Sequence, residues 1–360
     1  MKRRVSKEKS SATIDFPTAL CYNVLIFFSR KVDMESFLFA LNAIAPIIIT
    51  VAIGYILKKA GLMDEKFTKT ANKLVFRLFL PCMLFLNVYK INSLGDIDLG
   101  YVAYAVSALL VIFVLSLPAV MATTKKAEHR GALWQATFRS NYALIGIPLA
   151  QSLFGDTGAM IATLLSAFIV PAFNVLAVVS LSVFCRGGKK GVRGILLGIV
   201  KNPLIQSIAA GLVILCIRAL FVSGGISFKL SNVAPIYTVL EYMSRLATPM
   251  ALLCLGAQFE FSAVAELKRE IVFGTLMRIV IVPTICIGTA FLFFREIFGG
   301  AHFAAFVAAF ATPVAVSSVP MTQEMGGDVT LAGQLVVWTT LSSAFSVFLI
   351  SFLLKLVGIF

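Results

Sequence analysis

Charge is scarce in this 360-residue chain, at 13%, and it is lopsided, with 31 Lys and Arg against 17 Asp and Glu. Cysteine is thinly spread. Cys21, Cys82, Cys185, Cys216, Cys254 and Cys286 form no CxxC pair, and five lie in or beside apolar runs, which excludes a disulfide framework and a zinc site. The two histidines, His129 and His302, fall at the edges of apolar runs. No Ser-His couple, paired Asp or metal-ligand set lies within a run, so an intramembrane protease or lipid transferase lacks its chemistry. Stretches such as SALLVIFVLSLPAV do not alternate with period two, which excludes a transmembrane β-barrel.

What is present is apolar surface. At 59% apolar residues and a mean hydropathy of +0.95, the composition is that of an all-α integral membrane protein. A span of ~30 Å of hydrocarbon needs about 20 residues. Ten such spans can be drawn, at 37–57, 71–90, 99–122, 131–154, 159–184, 203–221, 233–258, 271–294, 302–323 and 330–356.

A net charge of +14 could suggest a nucleic-acid partner, but the placement of the charges excludes one: Lys and Arg concentrate in alternate loops. Lys58, Lys59, Lys66, Lys69, Lys73, Lys125, Lys126, Arg130, Arg186, Lys189, Lys190, Arg193, Lys201, Lys268 and Arg269 lie on one side; Lys90, Arg218, Lys229, Arg295 and Lys355 lie on the other. Both ends of the helical body are therefore expected outside and the 185–202 loop in the cytoplasm. The basic tail conflicts with that topology, because Lys2, Arg3, Arg4, Lys7, Lys9, Arg30 and Lys31 would have to be translocated. Its apolar piece, FPTALCYNVLIFF, is too short to span. Translation is expected to begin at Met34, leaving 1–33 disordered or absent; native N-terminal peptides upstream of Met34 would refute that.

Two sets of five spans match at Pro and Gly. PIIITVAIG (Pro46 to Gly54) aligns with PLIQSIAAG (Pro203 to Gly211), and RLFLPCML from Arg77 aligns with RLATPMAL from Arg245. PLAQSLFGD (Pro148 to Asp156) aligns with PMTQEMGGD (Pro320 to Asp328). An odd number of spans per unit makes the second copy enter the membrane in the opposite sense. The repeats are thus inverted, one over 34–184 and one over 203–360, an architecture of secondary transporters with substrate sites at broken helices near the midplane.

The fourth and ninth spans carry the breaks. Proline within a helix costs ~3 kcal/mol or more, and a broken span survives only where freed backbone is buried or lines a cavity. Gly146 and Pro148 follow Ser140 and Asn141; Pro313 and Pro320 flank Ser317 and Ser318. A lone proline would be a simple kink, but two symmetric breaks with polar flanks point to a site, with Asn141, Ser140, Pro148, Gln151, Thr312, Pro313, Ser317, Ser318 and Pro320 as candidate substrate contacts. Hydroxyls in such helices also bond their own backbone.

Four arginines, Arg77, Arg139, Arg245 and Arg278, lie within spans, joined clearly by one carboxylate, Glu241. Glu241 and Arg245 have the spacing of a structural i,i+4 pair. Arg278 lies near a cytoplasmic end, where it can snorkel. Arg139 either attracts an anion or holds helix-end carbonyls. No carboxylate sits beside either break, which leaves a proton relay without its groups; sodium coupling through carbonyls and hydroxyls stays open.

These residues resemble the auxin efflux carrier family, in particular its bacterial organic-acid permeases, over about 36–358. The motifs are Ser140-Asn141 followed by Gly146-Ile147-Pro148-Leu149, Lys201-Asn202-Pro203-Leu204, Pro249 followed by Leu255-Gly256, and Ala311-Thr312-Pro313-Val314-Ala315 with Pro320 and Gly327-Asp328. The resemblance implies ten helices in two inverted repeats, the fourth and ninth crossing at their prolines. It further implies a dimerising scaffold of spans one, two, six and seven, a transport domain that moves as an elevator, no cofactor or metal, and a plasma-membrane location. Asn141 matches the asparagine that contacts the substrate carboxylate in the plant carriers, and Pro148, Pro313 and Pro320 match their crossover prolines. Val314 stands where those carriers have a polar residue, and their long cytoplasmic loop is here only 185–202.

The function expected is that of a carrier for a small organic anion such as malate, malonate or an auxin-like acid. The alternatives are a sodium-coupled bile-acid-type symporter or a cation antiporter, whose acidic or polar ion ligands beside the crossover are lacking. A receptor without transport would gain nothing from symmetric breaks.

Overall fold

The computed structural model describes residues 31–90, 99–184, 192–224 and 229–360, and these contain α-helices and no β-strand. The helices are α1 (Lys31–Lys59), α2 (Glu65–Leu74), α3 (Leu80–Tyr89), α4 (Leu99–Thr123), α5 (Ala127–Phe138), α6 (Ile147–Val183), α7 (Val192–Val200) and α8 (Pro203–Ser223). They continue with α9 (Ala234–Gln258), α10 (Ala263–Glu266), α11 (Lys268–Leu276), α12 (Val282–Phe294), α13 (Gly300–Phe310), α14 (Ser318–Glu324) and α15 (Val329–Leu356). The first helix starts at Lys31, three residues before Met34; the rest of the 1–33 tail lies outside the described residues. The segment 185–202, read as a loop, contains α7, while 185–191 lie outside the described residues.

Six described stretches are long and apolar enough to cross a membrane: Glu65–Tyr89, Leu99–Thr123, Tyr142–Val183, Pro203–Val222, Lys268–Phe294 and Val329–Leu356. Of the other expected spans, α9 carries Glu241 and Arg245 along its length, and the fourth and ninth are assembled from halves that are individually short. The 42 residues of Tyr142–Val183 would run about 63 Å if straight, roughly twice the hydrocarbon thickness. They kink at Phe154 and at Gly155, whose φ of 60° and ψ of −155° suit only glycine. That kink separates the second half of the fourth expected span from the fifth.

Three five-residue π-turns each precede a proline by two positions: Val75–Phe79 before Pro81, Tyr142–Gly146 before Pro148, and Met277–Ile281 before Pro283. Proline cannot bond the carbonyl four residues back and its ring crowds it. Widening the preceding turn relieves the conflict. The N–H groups of Leu80, Ile147 and Val282 donate five residues back, to Val75, Tyr142 and Met277. Pro148 is therefore accommodated without a break.

Packing divides most of the helices into two groups, which α15 joins by lying on α1 as well. In one, α1 lies on α9, α3 on α8, and α3 on α9; in the other, α6 lies on α13, α5 on α4 and α6, and α15 on α5 and α11. Glycines set the close contacts of the first group. A Cβ on Gly54 would stand 2.2 Å from the Leu253 carbonyl oxygen, and one on Gly211 would stand 3.1 Å from that of Phe85. Gly54 and Gly211 end the aligned PIIITVAIG and PLIQSIAAG motifs, and Phe85 and Leu253 each follow the last leucine of the aligned Arg-Leu motifs. Small residues let helix backbones approach where hydrocarbon supplies no hydrophobic drive. In the second group α13 is buried on every side from Phe303 to Phe310.

Candidate functional site

At the end of α5 the chain runs non-helically through Arg139, Ser140 and Asn141, and at the end of α13 it does so from Ala311 until α14 begins. The two interruptions lie against each other. Ser140 and Val314 form an isolated antiparallel bridge. The Asn141 N–H donates to the Pro313 carbonyl at 2.8 Å, and the Ala315 N–H donates to the Arg139 carbonyl at 3.4 Å. The Val314 N–H reaches Thr339 Oγ1 at 3.1 Å. Each break thus satisfies backbone that the other would leave bare in an apolar medium. Gly146 brings the strands of the crossing close, since a Cβ there would lie 2.9 Å from the Ala308 carbonyl oxygen.

Arg278 does not snorkel. It is fully buried, and its guanidinium donates from Nε to the Thr312 carbonyl at 2.8 Å, from Nη1 to Phe138 at 3.0 Å, and from Nη2 to Ala309 at 2.9 Å. Those carbonyls belong to the C-terminal ends of α5 and α13, which have no helical N–H to accept from and carry partial negative charge. One cation caps both half-helices.

Arg139 is also buried, at 2% exposure, on the other side of the crossing. Its Nη2 donates to Asn174 Oδ1 and Ser317 Oγ, both at 2.8 Å, and its Nη1 to Met321 Sδ at 2.8 Å, Gln135 Oε1 at 3.3 Å and Ser318 Oγ at 3.5 Å. All five partners are neutral. Among the described residues no carboxylate pairs with Arg139 or Arg278, so the positive charge at the crossing is unbalanced by the protein.

Between the crossing and α3 lies a cavity of about 50 Å³. Arg139, Ser140, Asn141, Asn174, Ser317 and Asn87 supply its polar wall, and Leu80, Met83, Leu84, Val170, Phe173 and Ala315 contribute the apolar one. Asn141 is 8% exposed, and its Nδ2 is buried without a hydrogen-bond partner in the protein. An orphaned buried donor costs about 1–3 kcal/mol.

The model of a family described as membrane transport protein matches residues 39–351. The chain belongs to that family, the auxin efflux carrier family of transporters. The transporter is 22% identical over 315 residues to an uncharacterized transporter of Methanothermobacter thermautotrophicus, covering 86% of this chain and 97% of that one. It is 25% identical over 224 residues to an uncharacterized transporter of Methanocaldococcus jannaschii, covering 60% of this chain and 68% of that one.

The transporter's candidate residues divide by position. Asn141, Arg139, Ser140 and Ser317 line the cavity. Ser140 and Thr312 bond each other's hydroxyl, and both reach the Ala308 carbonyl, so Thr312 is internal structure. Pro313 lends its carbonyl to Asn141, Ser318 faces Arg139, and Pro320 is buried within α14. Pro148 and Gln151 are not brought to the cavity. Pro148 is exposed at the second position of α6, and Gln151 is exposed and bonded to Asp156 at 3.3 Å, because the interruption falls at 139–141 rather than at the proline.

Asn87, Asn174 and Gln135 belong to this polar environment and were not singled out from sequence. The available signal was an amide within an apolar run, which the Pro and Gly pattern overshadowed. The remaining charges lie elsewhere. Arg77 pairs with Glu324 at 3.3 Å, and Glu241 bridges Lys90 at 3.1 Å and Arg245 at 3.7 Å. His129, at a helix edge, is buried between Glu270 (3.3 Å) and Asp328 (3.0 Å), tying α5 and α11 to the start of α15.

Proposed function

We propose that this chain is a secondary transporter for a small organic anion, a carboxylate such as malate, malonate or an auxin-like acid, which it binds at the crossing and carries through the plasma membrane. The observation that carries the reading is the orphaned amide donor of Asn141 beside the Arg139 guanidinium, two groups that a carboxylate would satisfy together. The N-terminal ends of the Tyr142 π-turn and of α14 begin at the crossing without side-chain caps, which adds positive potential there.

Ten spans in two inverted repeats and an elevator-type alternation are part of the proposal. They are supported by equivalent residues meeting at the crossing and by the two packing groups, with the cavity between α3 of one and the crossing of the other. The group of α1, α3, α8 and α9 serves as the scaffold and pairs two copies; the other group moves. A cavity of about 50 Å³ holds a few waters, so an acid enters when the groups part. The 185–202 segment faces the cytoplasm by the positive-inside pattern.

Uptake and efflux in proteoliposomes with labelled malate, malonate and an aromatic acid, varying sodium and pH separately, test this. Movement of sodium or protons with no carboxylate moving would overturn it.

A further inference from the structure

Gln151 and Gln323 occupy the same place in the two aligned Pro-x-x-Gln-x-x-x-Gly-Asp motifs, yet their surroundings differ completely. Gln323 is docked on the scaffold group. Its Oε1 accepts from Asn72 Nδ2 at 2.9 Å and from Gln258 Nε2 at 3.1 Å, and its Nε2 donates to the Lys69 carbonyl at 3.1 Å. The adjacent Glu324 takes Arg77 Nε at 3.3 Å. Thus the end of α14, in the group that moves, is tied to α2, the π-turn and α9. Gln151 is exposed and hydrogen-bonds Asp156 of its own segment.

The Arg-Leu-x-x-Pro-x-x-Leu register identifies the counterpart of this docking surface. Arg77 corresponds to Arg245, and Gln258, nine residues after Pro249, corresponds to Lys90, nine residues after Pro81. Lys90 and Arg245 stand together here, bridged by Glu241 and largely exposed, at 52% and 76% of their side chains. A docked surface at one end of the molecule is matched by an undocked one at the other. Alternating access rocks one group against the other around the site, so closing the undocked end accompanies opening of the docked one.

We infer that Gln323 and Gln151 are the two catches of a reversible latch. Gln323 on Asn72 and Gln258 holds the state described here, and Gln151 docks on the Lys90, Glu241 and Arg245 trio in the opposite state. The inference rests on the alternating-access reading above. Amides suit such a catch: they donate and accept at once, and docking them costs less desolvation than burying an ion pair.

The test uses the full chain with its six cysteines replaced, in native membranes and without substrate. One version carries Arg77→Cys with Glu324→Cys and the other Thr238→Cys with Ser152→Cys, pairs that leave Gln323, Gln151 and the residues on which they dock in place. A short bismaleimide is expected to join either pair. Adding Gln323→Ala removes the catch, and is expected to slow the first crosslink and speed the second, changing the ratio of initial rates about fivefold. Failure of either pair to crosslink, or a ratio that Gln323→Ala leaves unchanged, overturns the latch. Because no substrate is present, a failure to transport carboxylates would strike the substrate reading and leave this result standing.

Discussion

The hydroxyls of Ser140 and Thr312 are hydrogen-bonded to each other at the centre of the crossing, and the two residues lie 172 positions apart, as do Pro148 and Pro320. Asn141 and Pro313, separated by the same interval, share the 2.8 Å backbone bond beside them. Residues 172 positions apart, beside motifs that align in the sequence, therefore meet in space. Differences between the matched positions are where chemistry can enter: an amide side chain at 141 is matched by a proline at 313, and Arg139 by Ala311.

Asn141→Ala should abolish transport while leaving stability in detergent equal to the parent's or up to about 1–3 kcal/mol higher, because its buried Nδ2 has no protein partner to lose. A large drop in the midpoint would make Asn141 structural instead. Unimpaired uptake would remove it from the site.

Arg278→Met should leave the Thr312, Phe138 and Ala309 carbonyls buried and unpaired, a loss of about 3–5 kcal/mol. Arg278→Lys should recover part of it, since an ammonium cannot span three acceptors as a planar fork does. Thermal unfolding followed by light scattering measures both; a Lys variant as stable as the parent contradicts the capping role.

Thr312→Val keeps the shape of the side chain and removes one hydroxyl from the Ser140, Thr312 and Ala308 cluster, at a cost of about 1 kcal/mol. Substrate affinity should be unchanged, because Thr312 is internal to the crossing. Competition binding checks this, and an affinity change of about tenfold or more would return Thr312 to the substrate contacts.

Gly256→Ala places a methyl 1.9 Å from the Val51 carbonyl oxygen and should destabilise the α1–α9 contact by about 1–3 kcal/mol or more. Gly288→Ala, with open space around it, should be neutral or slightly stabilising. Parallel unfolding curves compare the two; equal midpoints would deny the close packing.

Much of the site could be read before any tertiary contact. Asn141, Arg139 and Ser317 stand out as polar residues beside helix breakers within apolar runs, and all line the cavity. The misplacements have a common cause. Pro148 and Gln151 were assigned to the break because proline usually marks one, whereas the π-turn at Tyr142–Gly146 absorbs the proline and moves the interruption back to 139–141. Arg278 was read as a snorkelling side chain because its partners, three carbonyls far away along the chain, carry no signal of residue type.

The sequence by itself determined a helical membrane protein of the transporter family, since apolar length and composition answer to the bilayer locally. The proposed repeat likewise rests on sequence, where Pro148, Gln151 and Asp156 align with Pro320, Gln323 and Asp328. Only the tertiary structure decided which arginine caps helices and which faces the cavity, where the break lies, and which amide lacks a partner. Those depend on backbone carbonyls and amides brought together from segments far apart in the chain, groups that nearly every residue type supplies alike.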